Sequence, residues 1–231
     1  MIVKELKDLD FKEGEVLLFN KPYEWTSFDV VRKVRNTIRE KKIGHAGTLD
    51  PLATGLLILC TGKMTKKIDG FQSQQKEYIG EMILGKTTPS FDLETEVDAE
   101  FDISHITPAQ VVEAALTFLG EIAQTPPIYS AIKIDGQRLY KLARNGETKD
   151  IPPRNVHIYE FDIEEVSLPV IKFKVVCSKG TYIRSLVRDL GLKLNVGAYM
   201  SALRRTKIGD FDVSTAYELD KFVQDYKEFI T

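Results

Sequence analysis

A run with three glycines and a proline, in the first quarter of the chain, surrounds one carboxylate. The run is GHAGTLDPLATG, from Gly44 to Gly55, and the carboxylate is that of Asp50. The glycines permit tight backbone geometry, and Pro51 keeps Asp50 out of the helical region, so the side chain would stand at a rigid loop tip. An aspartate before a proline more often only makes a turn. The pattern alone therefore leaves both nucleophilic chemistry and a plain turn open.

The same run, extended to GHAGTLDPLATGLL, resembles the signature of the bacterial tRNA pseudouridine-55 synthase family. Further blocks follow the family order: LLFNKP at 17–22, KEYIGEMILG at 76–85, PPIYSAIKIDGQRLYKLARNG at 126–146 and CSKGTYIRSLVRDLG at 177–191. The resemblance covers nearly the whole chain. It implies an isomerase that breaks the N1–C1′ bond of a uridine in the T-arm loop, turns the uracil and joins C5 to C1′, without a cofactor.

The resemblance implies three catalytic residues. Asp50 is the nucleophile, and the sequence leaves open whether it attacks C1′ or C6. Arg184, in GTYIR, matches the arginine that pairs with this aspartate and fixes its orientation. Tyr78 matches the tyrosine that stacks on the target base and is a candidate for the proton step at C5. Without the resemblance, Arg184 would be interpreted as a surface helix residue and Tyr78 as a core residue of a strand.

Five more residues are implied to bind or support the substrate. Tyr182 and Leu203 match positions that line the pocket, and His45 matches a residue that inserts where the target base has left the tRNA loop. Lys21 and Pro22 resemble a pair that supports the catalytic loop. The alternative interpretations are a structural histidine for His45 and a strand-ending turn for the Lys-Pro pair.

The elements that must position these residues mix helices and strands irregularly. Sequence patterns predict strands over 15–19, 56–60, 78–84, 128–135, 156–166 and 170–177, and helices over 26–40, 108–119, 137–144, 183–194 and 217–229. This order predicts an α+β fold with a mostly antiparallel mixed sheet flanked by helices. The resemblance implies the pseudouridine synthase fold, as a single catalytic domain over 1–231. Two proline pairs bracket an inserted, thumb-like RNA-binding segment at about 126–153.

Charge is segregated along the chain, although the net charge is only -2. Residues 179–207 carry seven bases and one acid, whereas residues 91–121 carry eight acids and no Lys or Arg. Such segregation indicates a basic, RNA-facing side, although charge runs are usually just solvated faces. The periodicity of the helix predicted over 183–194 turns Arg184 and Arg188 away from its buried stripe.

The sequence also predicts where the protein acts and what it needs. Charges near the N-terminus and the absence of a long apolar run predict a cytoplasmic protein. Cys60 and Cys177 lie in apolar surroundings, which predicts buried thiols rather than a disulfide framework or a zinc site. The expected partner is the T-arm stem-loop of tRNA. We expect a monomer that needs no metal, no cofactor and no protein partner.

The chain departs from the family pattern at two places. It ends at Thr231, soon after a predicted helix, so the C-terminal RNA-binding (PUA) module of many members is expected to be absent. Asn20 stands where an acidic residue commonly precedes Lys-Pro, which predicts only a local change in hydrogen bonding.

Three other functions fit the sequence less well. A guide-RNA-dependent pseudouridine synthase shares the catalytic motif but usually carries extra terminal modules. A protein that only folds tRNA would need no aspartate at position 50, although such a role could accompany catalysis. A retaining glycosidase would need a second acid about 5 Å from the first, and only Asp50 lies in a suitable motif. The sequence favours the stand-alone enzyme.

Overall fold

The structure is a computed structural model that describes residues 6–130, 132–134, 136–144 and 149–230. The described residues form two compact units. One lies within Met1–Tyr78 and Leu203–Thr231, and the other within Ile79–Ala202. We call them the outer-sequence unit and the inner-sequence unit, after their places in the chain. The prediction of a single domain over 1–231 stays a prediction.

The helices and strands follow in chain order. The helices are α1 Ser27–Ile38, α2 Ile68–Ser73, α3 Pro108–Leu116, α4 Leu139–Arg144, α5 Ile183–Lys193 and α6 Leu219–Ile230. The strands are β1 Val16–Lys21, β2 Ile43–Ala46, β3 Ala53–Thr61, β4 Lys76–Leu84, β5 Lys86–Thr87, β6 Ala99–Glu100, β7 Gly120–Gln124, β8 Lys133–Ile134, β9 Gln137–Arg138, β10 Arg154–Ser167, β11 Val170–Cys177, β12 Ala198–Ile208, β13 Phe211–Asp212 and β14 Tyr217–Glu218. Short 3-10 helices cover Leu6–Asp8, Gly62–Lys67 and Val213–Thr215.

In the outer-sequence unit the strands lie in the order β14, β1, β3, β12. β1 runs antiparallel to β3, β12 runs parallel to β3, and β14 runs parallel to β1. β2 adds to β3 and β13 adds to β12, both antiparallel. β3 is therefore an interior strand, which explains why its sequence is an almost unbroken apolar run.

Both faces of β3 are buried. Leu57 and Leu59 point into a cluster with Phe19 of β1, Val30 of α1 and Phe222 of α6. The residues between them point into a second cluster on the opposite face, formed by Leu18, Ala46, Leu56, Ile58, Cys60, Ile208 and Phe211. Because successive side chains of a strand alternate between faces, a strand with a core on each face is apolar at most of its positions.

The start of α1 is fixed by a capping box. The Thr26 side chain accepts a hydrogen bond from the Asp29 amide, and the Asp29 carboxylate accepts one from the Thr26 amide. Such a box satisfies two backbone donors that the helix leaves unpaired and contributes about 1 kcal/mol. It sets the position of the segment between β1 and α1.

In the inner-sequence unit, β10 runs antiparallel to both β7 and β11, and β4 is the next strand beyond β11. Phe161 of β10 and Phe173 of β11 meet edge to face, with ring centroids 5.8 Å apart. α3 packs on β10, and the apolar stripe predicted for α5 is buried. None of the helices in the described residues has the length and apolar character that a membrane crossing needs.

The predicted class is confirmed: the fold is α+β, and most of its strand pairs are antiparallel. Helices predicted over 26–40, 183–194 and 217–229 correspond to α1, α5 and α6. The strand predicted over 128–135 is wrong, because only Lys133–Ile134 is a strand among the described residues of that range. Residues 131, 135 and 145–148 of the predicted insert lie outside the described residues, and its RNA-binding role stays a prediction.

The sequence patterns missed several strands, among them β2, β7 and β12. β7 occupies Gly120–Gln124, where Gly120 was expected only to end a helix. β12 occupies Ala198–Ile208, and it carries Leu203 and two arginines that the charge pattern assigned to a solvated, RNA-facing side. One of these arginines, Arg205, is 1% exposed.

The close packing at Gly55 predicts that replacing this glycine destabilises the protein far more than replacing an open one. Its φ is +101°, and an added Cβ would lie 2.3 Å from the Arg205 carbonyl oxygen in the neighbouring strand. We expect Gly55→Ala to lower the free energy of unfolding by about 3 kcal/mol or more, because both backbone strain and overlap must be relieved. Urea denaturation measures this change.

The control is Gly70→Ala in α2, where an added Cβ meets nothing within 4 Å. That change is expected to leave stability unchanged or to raise it by about 0.5 to 1 kcal/mol. Equal effects of the two substitutions would contradict the close approach of β12 to β3.

Candidate active site

Asp50 lies in a short loop between two paired strands. Ala46, at the end of β2, is opposite Ile58 of β3, and residues 47–52 connect the strands; we call these six residues the Asp50 loop. The Asp50 carbonyl accepts a hydrogen bond from the Ala53 amide at 3.1 Å, which closes a turn with Pro51 at its second position. Asp50 itself is half-buried. The turn interpretation is thus right for the backbone, and the catalytic role of the carboxylate stays a prediction.

Arg205 joins the start of this loop to the strand that follows it. Its Nε donates a hydrogen bond to the Leu56 carbonyl at 2.8 Å, and one of its terminal nitrogens donates to the Gly47 carbonyl at 3.0 Å. The first carbonyl lies in β3 and the second lies at the start of the loop. In the parallel pairing of β12 and β3, Arg205 is level with Gly55, so the backbones are close enough for both contacts.

Lys21, the last residue of β1, holds the loop from another direction. Its side chain is fully buried. The ammonium donates to the carbonyls of Pro22 at 2.9 Å, Trp25 at 2.5 Å and Pro51 at 3.1 Å. Three carbonyls match the three donors of an ammonium group, which is how a buried lysine stays satisfied. One nitrogen atom therefore links the segment before α1 to the residue that follows Asp50.

Burial lowers the pKa of Lys21 from 10.5 to about 8. The charge of Asp50 acts in the opposite direction, and the charge of Arg205 lowers the pKa further. Lys21, Asp50 and Arg205 thus interact electrostatically within one small region.

Ser27, at the start of α1, makes the third contact to the loop. Its hydroxyl accepts a hydrogen bond from the Leu49 amide at 2.9 Å and donates to the Leu49 carbonyl at 3.2 Å. Ser27 and Leu49 are both buried. Side chains from β1, α1 and β12 therefore fix the residues on both sides of Asp50.

The outer-sequence unit also contains the other predicted residues of this region. His45 lies on β2 opposite Leu59, and Leu203 lies on β12 opposite Ala53. Burial, and secondarily the charge of Arg205, lowers the pKa of His45, while its contact with the Gly47 backbone acts in the opposite direction. Tyr78, the third residue of β4, is 8% exposed.

The inner-sequence unit contains Arg184, at the second position of α5. The prediction that Arg184 points away from the buried side of its helix is wrong, because it is only 3% exposed. Its Nε lies 3.4 Å from a carboxylate oxygen of Asp92, and its terminal nitrogens donate to the carbonyls of Ser90 and Tyr129. A guanidinium can be buried when its donors find such partners. The predicted pairing of Arg184 with Asp50 stays a prediction.

Asp92 is a buried ionisable residue that the sequence patterns missed. It lies in the acidic stretch over 91–121 but is 4% exposed. Its carbonyl accepts hydrogen bonds from the hydroxyls of Thr88 and Ser90, and the Ser90 amide donates to the Thr95 hydroxyl. The signal available in the sequence was the run of Thr and Ser around this one acid, which is typical of a loop held by side-chain hydrogen bonds.

Tyr182 precedes α5 and is half-buried. Its amide donates to the Gln124 side-chain oxygen at 2.8 Å, and its carbonyl accepts from the Gln124 side-chain nitrogen at 3.1 Å. The Arg154 guanidinium lies 5.4 Å from the centre of the Tyr182 ring. The backbone of this tyrosine is therefore fixed by a buried amide. Among the described residues, no group of three or more His, Cys, Asp or Glu could hold a metal ion.

Family models match almost the whole of the chain. Residues 35–183 match the TruB family pseudouridylate synthase N-terminal domain, and residues 184–229 match the tRNA pseudouridylate synthase B C-terminal domain. These matches place the chain in the pseudouridylate synthase class.

Similar curated proteins agree with these matches. The tRNA pseudouridine synthase B of Flavobacterium johnsoniae is 54% identical, over 92% of this chain and 96% of its own length. The protein of the same name from Clostridium tetani is 47% identical, over 91% of this chain and 73% of its own length. The chain belongs to the TruB family, as the sequence resemblance predicted.

Two solved structures resemble this chain over nearly its whole length. A chain of a Cbf5-Nop10-Gar1 complex has a TM-score of 0.75 and 30% identity, and covers 95% of this chain. A chain of an H/ACA RNP bound to a substrate RNA containing 2′-deoxyuridine has a TM-score of 0.72 and 28% identity, and covers 96%. This chain spans 56% of the length of each.

The buried ammonium of Lys21 predicts a pH-dependent contribution to stability. Its pKa is about 8 in the folded protein, below the ordinary value of 10.5, so the unfolded chain binds more protons between these pH values. Stability contributed by Lys21 therefore rises as pH increases through this window. We expect the unfolding free energy of the unmodified protein, relative to Lys21→Met, to increase by about 2 kcal/mol between pH 7 and pH 10.

Urea denaturation at both pH values measures this difference. Lys63→Met is the control, because Lys63 is exposed and pairs with Glu13 at the surface. A constant offset between the unmodified protein and Lys21→Met, the same at pH 7 and pH 10, would contradict a buried ammonium with a lowered pKa.

Proposed function

We propose that this protein is a tRNA pseudouridine synthase that converts uridine 55 in the T-arm loop to pseudouridine. The observation that carries the proposal is a single carboxylate, Asp50, in a loop fixed by Arg205, Lys21 and Ser27. Relatives at about 50% identity that bear the name tRNA pseudouridine synthase B support it. The reaction is an isomerisation, so it consumes no second substrate.

Asp50 is the nucleophile in this proposal. The Asp50 carboxylate forms a bond to C1′ or C6 that breaks again before the product leaves. The N1–C1′ bond breaks, the uracil turns while it remains in the site and a C5–C1′ bond forms. C5 loses its proton and N1 gains one, so the atoms balance. One carboxylate suffices, and attack at C1′ and attack at C6 both fit it. A nucleophile held by contacts on both sides of its own residue loses little freedom on reaching the reactive geometry, which is a main source of rate enhancement.

The target base must leave the stacked loop before Asp50 can reach it, which costs a few kcal/mol. Tyr78 stacks on the flipped base and takes part in the proton step at C5. Stacking on an aromatic ring is worth about 1 to 3 kcal/mol and offsets much of this cost. Arg184 pairs with Asp50 and orients its carboxylate.

The remaining predicted residues bind the substrate or support the loop. Tyr182 and Leu203 line the base pocket, and His45 fills the space that the base leaves in the tRNA loop. Lys21 and Pro22 support the Asp50 loop, consistent with the hydrogen bond from Lys21 to the Pro51 carbonyl.

A guide-dependent enzyme is the second candidate, favoured by the likeness to chains of H/ACA assemblies. The stand-alone enzyme is better supported, because identity to those chains is 28–30% but reaches 54% with a tRNA pseudouridine synthase B. We therefore propose that the protein acts as a monomer without guide RNA, protein partner or metal. The cytoplasm, where tRNA is found, is its proposed place of action.

Tritium release tests the proposed function directly. A T-arm hairpin with tritium at C5 of its uridines is incubated with purified protein and no added metal, guide RNA or nucleotide. We expect release from one loop uridine, because C5 gives up its hydrogen when it joins C1′.

Asp50→Ala and Asp50→Asn are the controls, and both are expected to bind the hairpin without releasing tritium. Hairpin binding by the unmodified protein without any release would contradict the stand-alone enzyme. Undiminished release by Asp50→Asn would contradict the role of the carboxylate.

A further inference from the structure

The segment between β1 and α1 presents two exposed aromatic rings. Tyr23 is 49% exposed, and Phe28, in the first turn of α1, is 58% exposed. Within the described residues, neither ring contacts another aromatic ring. Single exposed apolar residues are common on protein surfaces, so exposure alone carries no argument.

The segment that carries these rings is rigid. Trp25, between them, is partly buried and packs against the core shared by α1 and α6. Glu24 has a φ of +64°, which makes a sharp turn of a kind uncommon for non-glycine residues. The capping box of Thr26 and Asp29 fixes the end of the segment. Tyr23 and Phe28 therefore project from a fixed backbone.

The same segment is joined to the Asp50 loop at two points. The Lys21 ammonium donates both to the Trp25 carbonyl and to the Pro51 carbonyl. Ser27, the neighbour of Phe28, exchanges two hydrogen bonds with Leu49. The two rings are thus held in a fixed relation to the residues on either side of Asp50.

The charges near the rings are mixed. Arg32 lies four residues after Phe28, on the same side of α1, with its side chain 62% exposed and paired with Asp29 at 2.8 Å. Glu24 is an exposed acid next to Tyr23. Asp29 balances the charge of Arg32 and Glu24 adds one acid, so these charges give no net attraction for phosphate, and binding at this segment would rest on stacking.

We propose that Tyr23 and Phe28 form a stacking site for an unpaired nucleobase of the tRNA loop other than the target uridine. The site rests on the proposed function, because its ligand is the same RNA. When the target base leaves the stack, its neighbours lose a stacking partner, and aromatic side chains commonly take up such unstacked bases. An exposed ring on a rigid segment can do this with little loss of its own freedom.

The test combines protein variants with altered RNA. Trp25 is the only tryptophan of the chain, so its fluorescence reports on binding at this segment. Dissociation constants are measured by this signal, and independently by filter binding, for a T-arm hairpin and for hairpins with one abasic loop nucleotide each. All proteins carry Asp50→Asn to prevent turnover. The ring variants are Tyr23→Ala and Phe28→Ala.

Three further variants are controls. Tyr23→Phe and Phe28→Tyr keep an aromatic ring and should retain the original affinity. Phe229→Ala removes a ring that is 54% exposed near the end of α6, and it should not change binding. Circular dichroism of each variant confirms that it is folded.

We expect Tyr23→Ala or Phe28→Ala to weaken binding of the intact hairpin by about 5- to 150-fold, the range that loss of one stacked base gives. One abasic position next to the target should weaken binding by the parent protein similarly. On that abasic hairpin the ring variant should cause no further loss of affinity, because the base on which the ring stacks is already missing.

Unchanged affinity of both ring variants would overturn the stacking site, and so would an equal loss on every abasic hairpin. Tritium release by the protein with Asp50 intact tests the enzymatic function independently of the stacking site. Release without any ring effect overturns the stacking site alone. Coupling between ring and base without release leaves the stacking site standing and overturns the enzymatic function. A protein that binds none of the hairpins overturns both.

Discussion

The two hydrogen bonds of the Arg205 guanidinium hold the Asp50 loop closed at its base. They join the Gly47 carbonyl before Asp50 to the Leu56 carbonyl after it. Removing a cation from water is costly, and carbonyl acceptors offset that cost only if their positions are fixed. The geometry around them follows: β12 must lie beside β3, and Gly55 must lack a side chain where the Arg205 backbone passes.

Lys21 is a second buried cation whose donors are satisfied by backbone carbonyls. Its ammonium is surrounded by three carbonyls, and its pKa is lowered to about 8 by burial although the charge of Asp50 favours the protonated form. Two buried cations thus lie close enough to a half-buried carboxylate for their charges to interact. In the inner-sequence unit, Arg184 and Asp92 form a further buried ion pair. The fold thus keeps four ionisable side chains out of solvent: those of Lys21, Arg205, Arg184 and Asp92.

Those buried charges mark the limit of what the sequence could predict. The position of Asp50 before Pro51, the capped start of α1 and the apolar stripe of α5 followed from local patterns, and the structure confirms those elements. The burial of Arg205 and Asp92 did not follow, because each lies in a run of like charges that resembles a solvated face. Long-range partners, such as the Gly47 carbonyl, have no local signature in sequence.

β12 was missed for a related reason. Its fully buried positions are Ala198, Met200, Leu203, Arg205 and Ile208, and two of the intervals between them are three residues rather than two. The apolar alternation that predicts a strand is therefore interrupted, and a buried arginine occupies one of the inward positions. Roles of individual residues came only from the resemblance to a family, since composition and periodicity do not distinguish a catalytic aspartate from one that only makes a turn.

We propose that Arg205 acts on catalysis by fixing the Asp50 loop. The most direct measurement compares single-turnover tritium release and hairpin affinity for Arg205→Lys and for the neighbouring Arg204→Lys, after thermal melts have shown that both proteins are folded. A lysine cannot reach both carbonyls, so we predict that Arg205→Lys slows release about 100-fold while affinity changes less than about threefold, with little effect of Arg204→Lys. An unchanged rate in folded Arg205→Lys would contradict this role of Arg205.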